Sequence, residues 1–119
     1  MSFHHEPLQI VKKVWGMEEW LVNDTYCAKK MTVVPGFQCS LHFHQKKTET
    51  FHILEGSLRL TVGGSTEMLT PGMTVTIFPG QLHRFSSMSR ERSCVFLEIS
   101  NHHDDADVTR LEESCPLSS

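Results

Sequence analysis

Short apolar and β-branched segments alternate with polar turns along nearly the whole chain. Most of these segments end at glycine or proline, which are the residues that tight turns require. Strands of this length and spacing predict a small all-β barrel or sandwich. The predicted strands are residues 26–34, 37–43, 48–54, 57–62, 66–70, 73–78, 83–87 and 93–100.

No segment carries the long 3.6-residue periodicity of a central helix, although residues 109–114 are expected to form one helical turn near the end. We interpret residues 1–119 as a single domain with its core in roughly residues 14–100. The polar flanks, residues 1–11 and 102–119, are expected to lie over the surface or along a partner subunit.

The composition excludes several classes of protein. A net charge of −3 without a basic stripe does not indicate nucleic-acid binding, and the apolar runs are too short to cross a membrane. The polar N-terminus lacks a signal-peptide core, so we expect a cytoplasmic protein. The cysteines follow no metal-binding spacing and are expected to be free thiols, two or three of them buried: Cys27, Cys39, Cys94 and Cys115.

Three histidines and a glutamate form the most informative pattern in the chain. His42 and His44 are two residues apart, so on a β-strand they point to the same face. Glu49 adds a carboxylate from the next strand, and His83 adds an imidazole from a distant one. This donor set suits one divalent transition metal, namely Mn, Zn, Fe, Co or Ni. The alternative interpretation of His42 and His44 is a pair exposed to solvent.

Strand alternation extends this prediction to neighbouring residues. If the histidines and the glutamate point inward, an otherwise aromatic and aliphatic lining surrounds a polar cluster, as in many small-molecule sites. The residues then expected inside are Gln38, Ser40, Phe51, Ile53 and Phe85, and those expected outside are His52 and Arg84.

The glycines around these residues give the pattern a family resemblance. Gly36, His42, His44, Glu49 and Gly56 match the first signature of the cupin superfamily. The second signature resembles the segment from Gly72 through Gly80 to His83, but its proline is displaced to Pro79 and its final asparagine is replaced by Ser87. The resemblance implies a double-stranded β-helix, or jelly-roll barrel, often a homodimer.

Finer similarities concern sugars. Residues 12–23 and 104–113 resemble the opening and closing segments of small cupins akin to type II mannose-6-phosphate isomerases. The segment HFHQKKTET, residues 42–50, is similar to the metal loop of cupin-type D-lyxose isomerases. The resemblance implies a sugar or sugar phosphate as the small-molecule partner. Residues 45–48 lack the arginine that is more usual in the phosphomannose branch, so the resemblance does not specify the substrate.

An isomerase of this kind also needs a group that moves a proton. Lys47 is one candidate, if desolvation lowers its pKa, and Glu98 on the last predicted strand is the other. Alternatively, Lys47 lies in a solvated loop and Glu98 faces solvent. Lys30 is a further candidate for contact with a phosphate, and His103 is interpreted as part of a solvated end.

Three functions remain open from the sequence. The first is a metal-dependent aldose–ketose isomerase, for which metal affinity should fall as the pH drops through about 6.5. The second is a metal-dependent dioxygenase or related oxidoreductase, with Phe51, Ile53, Phe85 and Phe96 as walls of an apolar pocket. The third is a sugar-binding cupin without catalytic activity.

Overall fold

The computed structural model describes residues 3–118, in which the chain forms β-strands and no helix. The all-β prediction is therefore confirmed. The strands are β1 (Gln9–Lys13), β2 (Gly16–Asn23), β3 (Tyr26–Val33), β4 (Phe37–Gln38), β5 (Leu41–Phe43), β6 (Glu49–Glu55), β7 (Leu58–Val62), β8 (Ser65–Leu69), β9 (Thr74–Ile77), β10 (His83–Ser87), β11 (Cys94–Asn101), β12 (Thr109–Glu112) and β13 (Cys115–Pro116).

The strands form two antiparallel sheets that share one core. The first sheet has the order β1-β2-β3-β11-β6-β9, and the second has the order β12-β5-β10-β4-β13, with β7 and β8 attached to β10. Phe51 and Phe96 of the first sheet pack with Phe85 of the second, at ring-centroid distances of 4.6 to 6.0 Å. Phe51 and Phe85 of this aromatic cluster line the same cavity as His42, His44 and Glu49.

The predicted strand over residues 37–43 is interrupted in the structure. Cys39 and Ser40 separate β4 from β5, and both side chains are buried, so the alternation of faces breaks between them. Gln38 consequently points away from the interior and donates to Cys115 Sγ at 3.3 Å. The prediction that Gln38 faces inward is wrong, whereas Ser40 is buried as expected.

The two ends of the chain contribute more structure than expected. Residues 109–112 form β12, which pairs with β5, so the predicted helical turn is wrong. Near the N-terminus, β1 pairs with β2 at the edge of the first sheet. β12 results from pairing with the edge of a distant strand, whereas β1 forms a local hairpin with β2. Residues 1, 2 and 119 of the expected flanks lie outside the described residues.

Burial is concentrated in the middle of the described chain. Within residues 3–118, every buried residue lies between Trp15 and Ser100. Cys27, Cys39 and Cys94 are buried free thiols, as predicted, and Cys115 is half-buried. No helix able to span a membrane occurs in residues 3–118.

Candidate metal centre

Four potential metal ligands converge where the two sheets meet. His42 lies on β5, His44 follows it, Glu49 begins β6 and His83 begins β10. One ligand atom from each of these residues lies within 4.8 Å of the others. His83 pairs directly with His42 across the β10–β5 ladder, which explains how a residue so distant in sequence reaches the cluster. The chain therefore contains a histidine and glutamate cluster able to bind a metal.

The hydrogen bonds of the three imidazoles orient them toward a common point. A carbonyl oxygen can only accept, so each Nδ1 in contact with one must carry the proton, and Nε2 keeps its lone pair. Such outer contacts fix both the tautomer and the ring orientation of ligating histidines. In each case the ring Nδ1 donates to a backbone carbonyl oxygen: His42 to Ser40 at 2.8 Å, His44 to Asp107 at 2.6 Å and His83 to Gln81 at 2.8 Å.

The buried atoms at the centre of the cluster fit a cation. His83 Nε2 lies 2.7 Å from Glu49 Oε1, and His44 Nε2 lies 3.9 Å from Glu49 Oε2. Both carboxylate oxygens and His83 Nε2 are buried, and none has a hydrogen bond of acceptable geometry to a described residue. Buried polar atoms without a partner cost free energy, and a bound cation would satisfy these three. The donor set therefore matches a divalent transition metal.

The protonation states of His42, His44 and Glu49 in the metal-free protein also favour metal binding. Burial, together with the neighbouring His83, lowers the pKa of His42 to about 3, and burial lowers the pKa of His44. Burial raises the pKa of Glu49, but contact with His83 and the charge of Lys47 outweigh it and hold that pKa well below its usual range. At neutral pH His42 and His44 are thus neutral imidazoles and Glu49 is an ionised carboxylate, the forms that ligate metals.

Lys47 is buried beside this cluster. Its side chain is 3% exposed, so the interpretation of Lys47 as part of a solvated loop is wrong. Its Nζ atom lies 3.0 Å from Glu98 Oε2, 3.1 Å from Glu49 Oε2 and 3.2 Å from His103 Nδ1. The contacts with Glu98 and His103 are hydrogen bonds, and the contact with Glu49 is an ion pair. By contrast, neighbouring Lys46 is exposed.

The charge of Lys47 differs from the sequence-based expectation. Desolvation lowers its pKa, but the carboxylates of Glu98 and Glu49 outweigh burial and raise it above the ordinary value. Lys47 is therefore an ammonium group at neutral pH, and the predicted lowering of its pKa is wrong. Glu98 is itself buried, which contradicts the interpretation of a solvent-facing position, and burial raises its pKa despite the nearby lysines.

The cluster opens into a cavity of about 420 Å³. Phe51 and Phe85 form part of its wall, together with Trp15, which packs edge-on against Phe85 at 5.0 Å. Ile53 and Phe96 belong to the core behind this wall. Lys13 and Arg110, both exposed, also line the cavity. Phe51, Ile53 and Phe85 are buried, as predicted. His52, which was predicted to face outward, is half-buried.

A second charged group in the cavity was missed from the sequence. Lys29 is 2% exposed, and its Nζ atom lies 3.5 Å from Glu18 Oε1 and 4.2 Å from the centroid of the Trp20 ring. Lys30, the residue considered for phosphate contact, is half-buried on the opposite face of β3. The sequence does carry a signal for Lys29. It shares a strand face with the apolar residues Cys27, Met31 and Val33, which predicts that Lys29 also faces inward.

His103 was also misassigned. It is half-buried, it lines the cavity, and its ring packs edge-on against Trp20 at 5.0 Å. Its Nε2 atom lies 2.8 Å from Asp105 Oδ1, and its Nδ1 atom contacts Lys47. The interpretation of His103 as part of a solvated end is therefore wrong. No local sequence pattern marks its position in the cavity, because Trp20 and Lys47 are distant from it in sequence.

Comparison with known proteins agrees with the fold. The chain matches the cupin domain family over residues 29–100, which is more than half of its length, and therefore belongs to that family. A protein with a double-stranded β-helix domain from Klebsiella pneumoniae superposes with a TM-score of 0.69 at 17% identity, covering 95% of this chain and 90% of that chain. The predicted cupin double-stranded β-helix is confirmed.

Two characterised relatives differ in the reactions their names indicate. The chain is 32% identical over 110 residues to a D-lyxose/D-mannose isomerase from Thermosediminibacter oceani, covering 70% of this chain and 60% of the relative. It is 38% identical over 74 residues to the epoxidase atD from Aspergillus terreus, covering 60% of this chain and 23% of the relative. The chain thus spans less than two thirds of either relative.

Proposed function

We propose that this protein is a metal-dependent isomerase that interconverts an aldose and a ketose inside the cavity. The observation that carries the proposal is the buried Lys47–Glu98 ion pair beside the metal cluster, with Lys47 Nζ 3.1 Å from Glu49 Oε2. The proposed proton-transfer pair, Lys47 and Glu98, thus lines the same cavity as three of the candidate metal ligands. The identity with the D-lyxose/D-mannose isomerase supports the same reaction class.

The metal cluster and the ion pair have separate roles in this proposal. His42, His44, Glu49 and His83 would hold one divalent ion of Mn, Zn, Fe, Co or Ni. When bound, the ion supplies Lewis-acid polarisation of the carbonyl oxygen and adjacent hydroxyl oxygen of an open-chain sugar. The atoms that fit such an ion are the histidine ring nitrogens and the buried carboxylate oxygens of Glu49.

Glu98 and Lys47 are the assigned catalytic residues. The reaction moves a proton from the carbon beside the carbonyl carbon to the former carbonyl carbon, and the proton of the adjacent hydroxyl group passes to the former carbonyl oxygen. Glu98 carries the carbon-bound proton, because its buried carboxyl has a raised pKa and suits both acceptance and donation. Lys47 remains charged, holds the Glu98 carboxylate at 3.0 Å and supplies a fixed positive charge near the substrate oxygens as negative charge develops on them.

The charge distribution favours an unphosphorylated sugar in the interior. The buried ammonium groups of Lys29 and Lys47 are already paired with carboxylates, which leaves neither free for a phosphate. Aromatic and charged side chains around them provide the mixed surface that a sugar's hydroxyl groups and ring faces require. A sugar phosphate is accommodated only with its phosphate at the exposed Lys13 or Arg110.

The test is turnover by the metal-reconstituted protein. Chelator-treated protein is loaded separately with each candidate metal and incubated with D-lyxose, D-mannose and mannose 6-phosphate. We expect ketose formation from a free sugar and little or none from the phosphate. Glu98→Gln should retain stoichiometric metal and lose at least about 100-fold in kcat. If no metal and sugar combination yields ketose, the isomerase assignment is wrong for these substrates.

Oxygen chemistry is the second candidate, favoured by the identity with epoxidase atD and by the Phe51 and Phe85 wall. Iron-loaded protein that consumes O₂ with diketones, flavonols or thiols, but forms no ketose from sugars, would select this function. Sugar binding without either reaction would select a binding protein.

The predicted assembly and location complete the proposal. We infer a cytoplasmic homodimer from the sequence and the family resemblance. Light scattering on the purified protein tests the dimer, and cell fractionation tests the location. A monomer at micromolar concentration would contradict the predicted assembly.

A further inference from the structure

Asp107, which is not a candidate ligand, accepts several hydrogen bonds from the loop that carries His44, here termed the metal loop. Residues 44–48 connect β5 to β6 and carry both His44 and Lys47. Asp107 accepts from three successive backbone amides of this loop through its carboxylate: Gln45 at 2.9 Å, Lys46 at 3.2 Å and Lys47 at 3.1 Å. Its backbone carbonyl oxygen also accepts from His44 Nδ1 at 2.6 Å.

The same chain segment holds Lys47 from a second direction. His103 Nδ1 lies 3.2 Å from Lys47 Nζ. The main chain of His103 is fixed by Asn23, whose side chain accepts from the His103 amide at 2.9 Å and donates to its carbonyl oxygen at 3.1 Å. The backbone and the ammonium group of Lys47 are thus both held by residues 103–107.

Asn101 completes the contact at the end of the loop. Its side chain accepts from the Thr48 amide at 3.1 Å and donates to the Lys46 carbonyl oxygen at 3.2 Å. Because the loop lies between two strands, its amides need acceptors from outside the sheet ladders. A charged acceptor shared by consecutive amides fixes a loop conformation more strongly than neutral contacts do.

We propose that Asp107 is a positioning residue that presets the loop so that His44 faces the metal and Lys47 faces Glu98 before either metal or substrate binds. The inference rests on the proposed metal site. It extends the site to a residue that does not itself line the cavity, although it accepts hydrogen bonds from His44 and Lys47, which do. Its effect on His44 is through the backbone, and its effect on Lys47 is through the loop amides.

The experiment compares Asp107→Ala and Asp107→Asn with the matched control Asp104→Asn. Asp104 lies in the same segment, and its carboxylate accepts from Ala106 rather than from the metal loop. Hydrogen exchange is measured first on chelator-treated protein. We expect the amides of residues 45–47 to exchange at least about tenfold faster in Asp107→Ala, less so in Asp107→Asn and at the normal rate in the control.

Metal binding provides the second readout. Calorimetry with Zn²⁺ should show affinity reduced about 10- to 100-fold in Asp107→Ala, and the absorption spectrum of the Co²⁺-loaded protein should change. Asp107→Asn retains one acceptor oxygen and should be intermediate. If Asp107→Ala fails to fold, the comparison is made with Asp107→Asn alone.

Neither measurement uses a sugar, so the inference and the proposed isomerase activity fail separately. Normal amide exchange together with normal Zn²⁺ affinity in the Asp107 variants would overturn the positioning role. Equal effects in the Asp104 control would also overturn it, because they would indicate a general requirement for charge in the segment.

Discussion

Replacing Lys47 by methionine should strongly destabilise the metal-free protein. The Lys47 ammonium lies 3.1 Å from Glu49 and 3.0 Å from Glu98, and all three residues are at most 5% exposed. Methionine retains much of the length but leaves both buried carboxylates without their shared cation. Breaking a buried ion pair by removing one partner costs about 3–5 kcal/mol.

This loss can be measured as a fall in Tm. At roughly 4 °C per kcal/mol for a domain of this size, Lys47→Met should lower Tm by roughly 12–20 °C in differential scanning calorimetry with chelator present. Lys46→Met is the matched control, because Lys46 is the exposed neighbour on the same loop. Its free energy of unfolding should change by no more than about 0.5 kcal/mol.

A double variant separates the charge of Lys47 from its packing. Combining Lys47→Met with Glu98→Gln removes one of the stranded carboxylates, so the double variant should regain about 0.5–3 kcal/mol relative to the sum of the single effects. Additive effects, or a Lys47→Met protein as stable as the original, would refute the role of Lys47 as the counterion of these carboxylates.

Three further predictions concern the ligands, pH and one turn. His44→Ala should lose stoichiometric metal, as measured by elemental analysis; normal metal content would exclude His44 as a ligand. The pKa of His42 falls from 6.5 in the unfolded chain to about 3 in the folded one, so the unfolded state binds more protons between these values. Metal-free protein should therefore lose about 1 kcal/mol from His42 alone between pH 7 and pH 5.5 in urea unfolding, a loss absent from His42→Gln. The same low pKa means that protons compete with the metal for His42 well below the predicted pH of 6.5. Gly56→Ala should destabilise by about 1–3 kcal/mol, because Gly56 has φ +69° and its added Cβ would lie 2.5 Å from the Ser93 carbonyl oxygen. Gly36→Ala, at φ +90° in open space, should cost less, and equal losses would rule out the steric contribution.

Sequence reasoning succeeded where the physical cause was local. Glycine and proline mark turns through their own backbone restrictions, and the predicted strands over residues 26–34, 83–87 and 93–100 agree with β3, β10 and β11 to within one residue at each end. Strand alternation likewise identified the inward-facing Glu49, Phe51 and Ile53. Both signals depend only on neighbouring residues along the chain.

The environment of Lys47 was not predictable in the same way. Lysine in a polar loop is normally solvated, and its burial here depends on Glu98, 51 residues away in sequence. His103 and Asp107 reach the site from a segment that by composition resembles a solvated end. Pairing of β12 with β5 similarly replaced the expected helical turn, since a free strand edge outweighs a weak local preference.

The amino-acid sequence by itself predicted an all-β chain and four candidate ligands, because turn chemistry and a two-residue period act over short distances, and the resemblance of its signatures implied the cupin fold. Three-dimensional packing then determined the charge of Lys47 and the contacts of Asp107 with the loop between β5 and β6. Charge and hydrogen bonding in a buried site depend on which distant groups meet there, and folding alone brings those groups together.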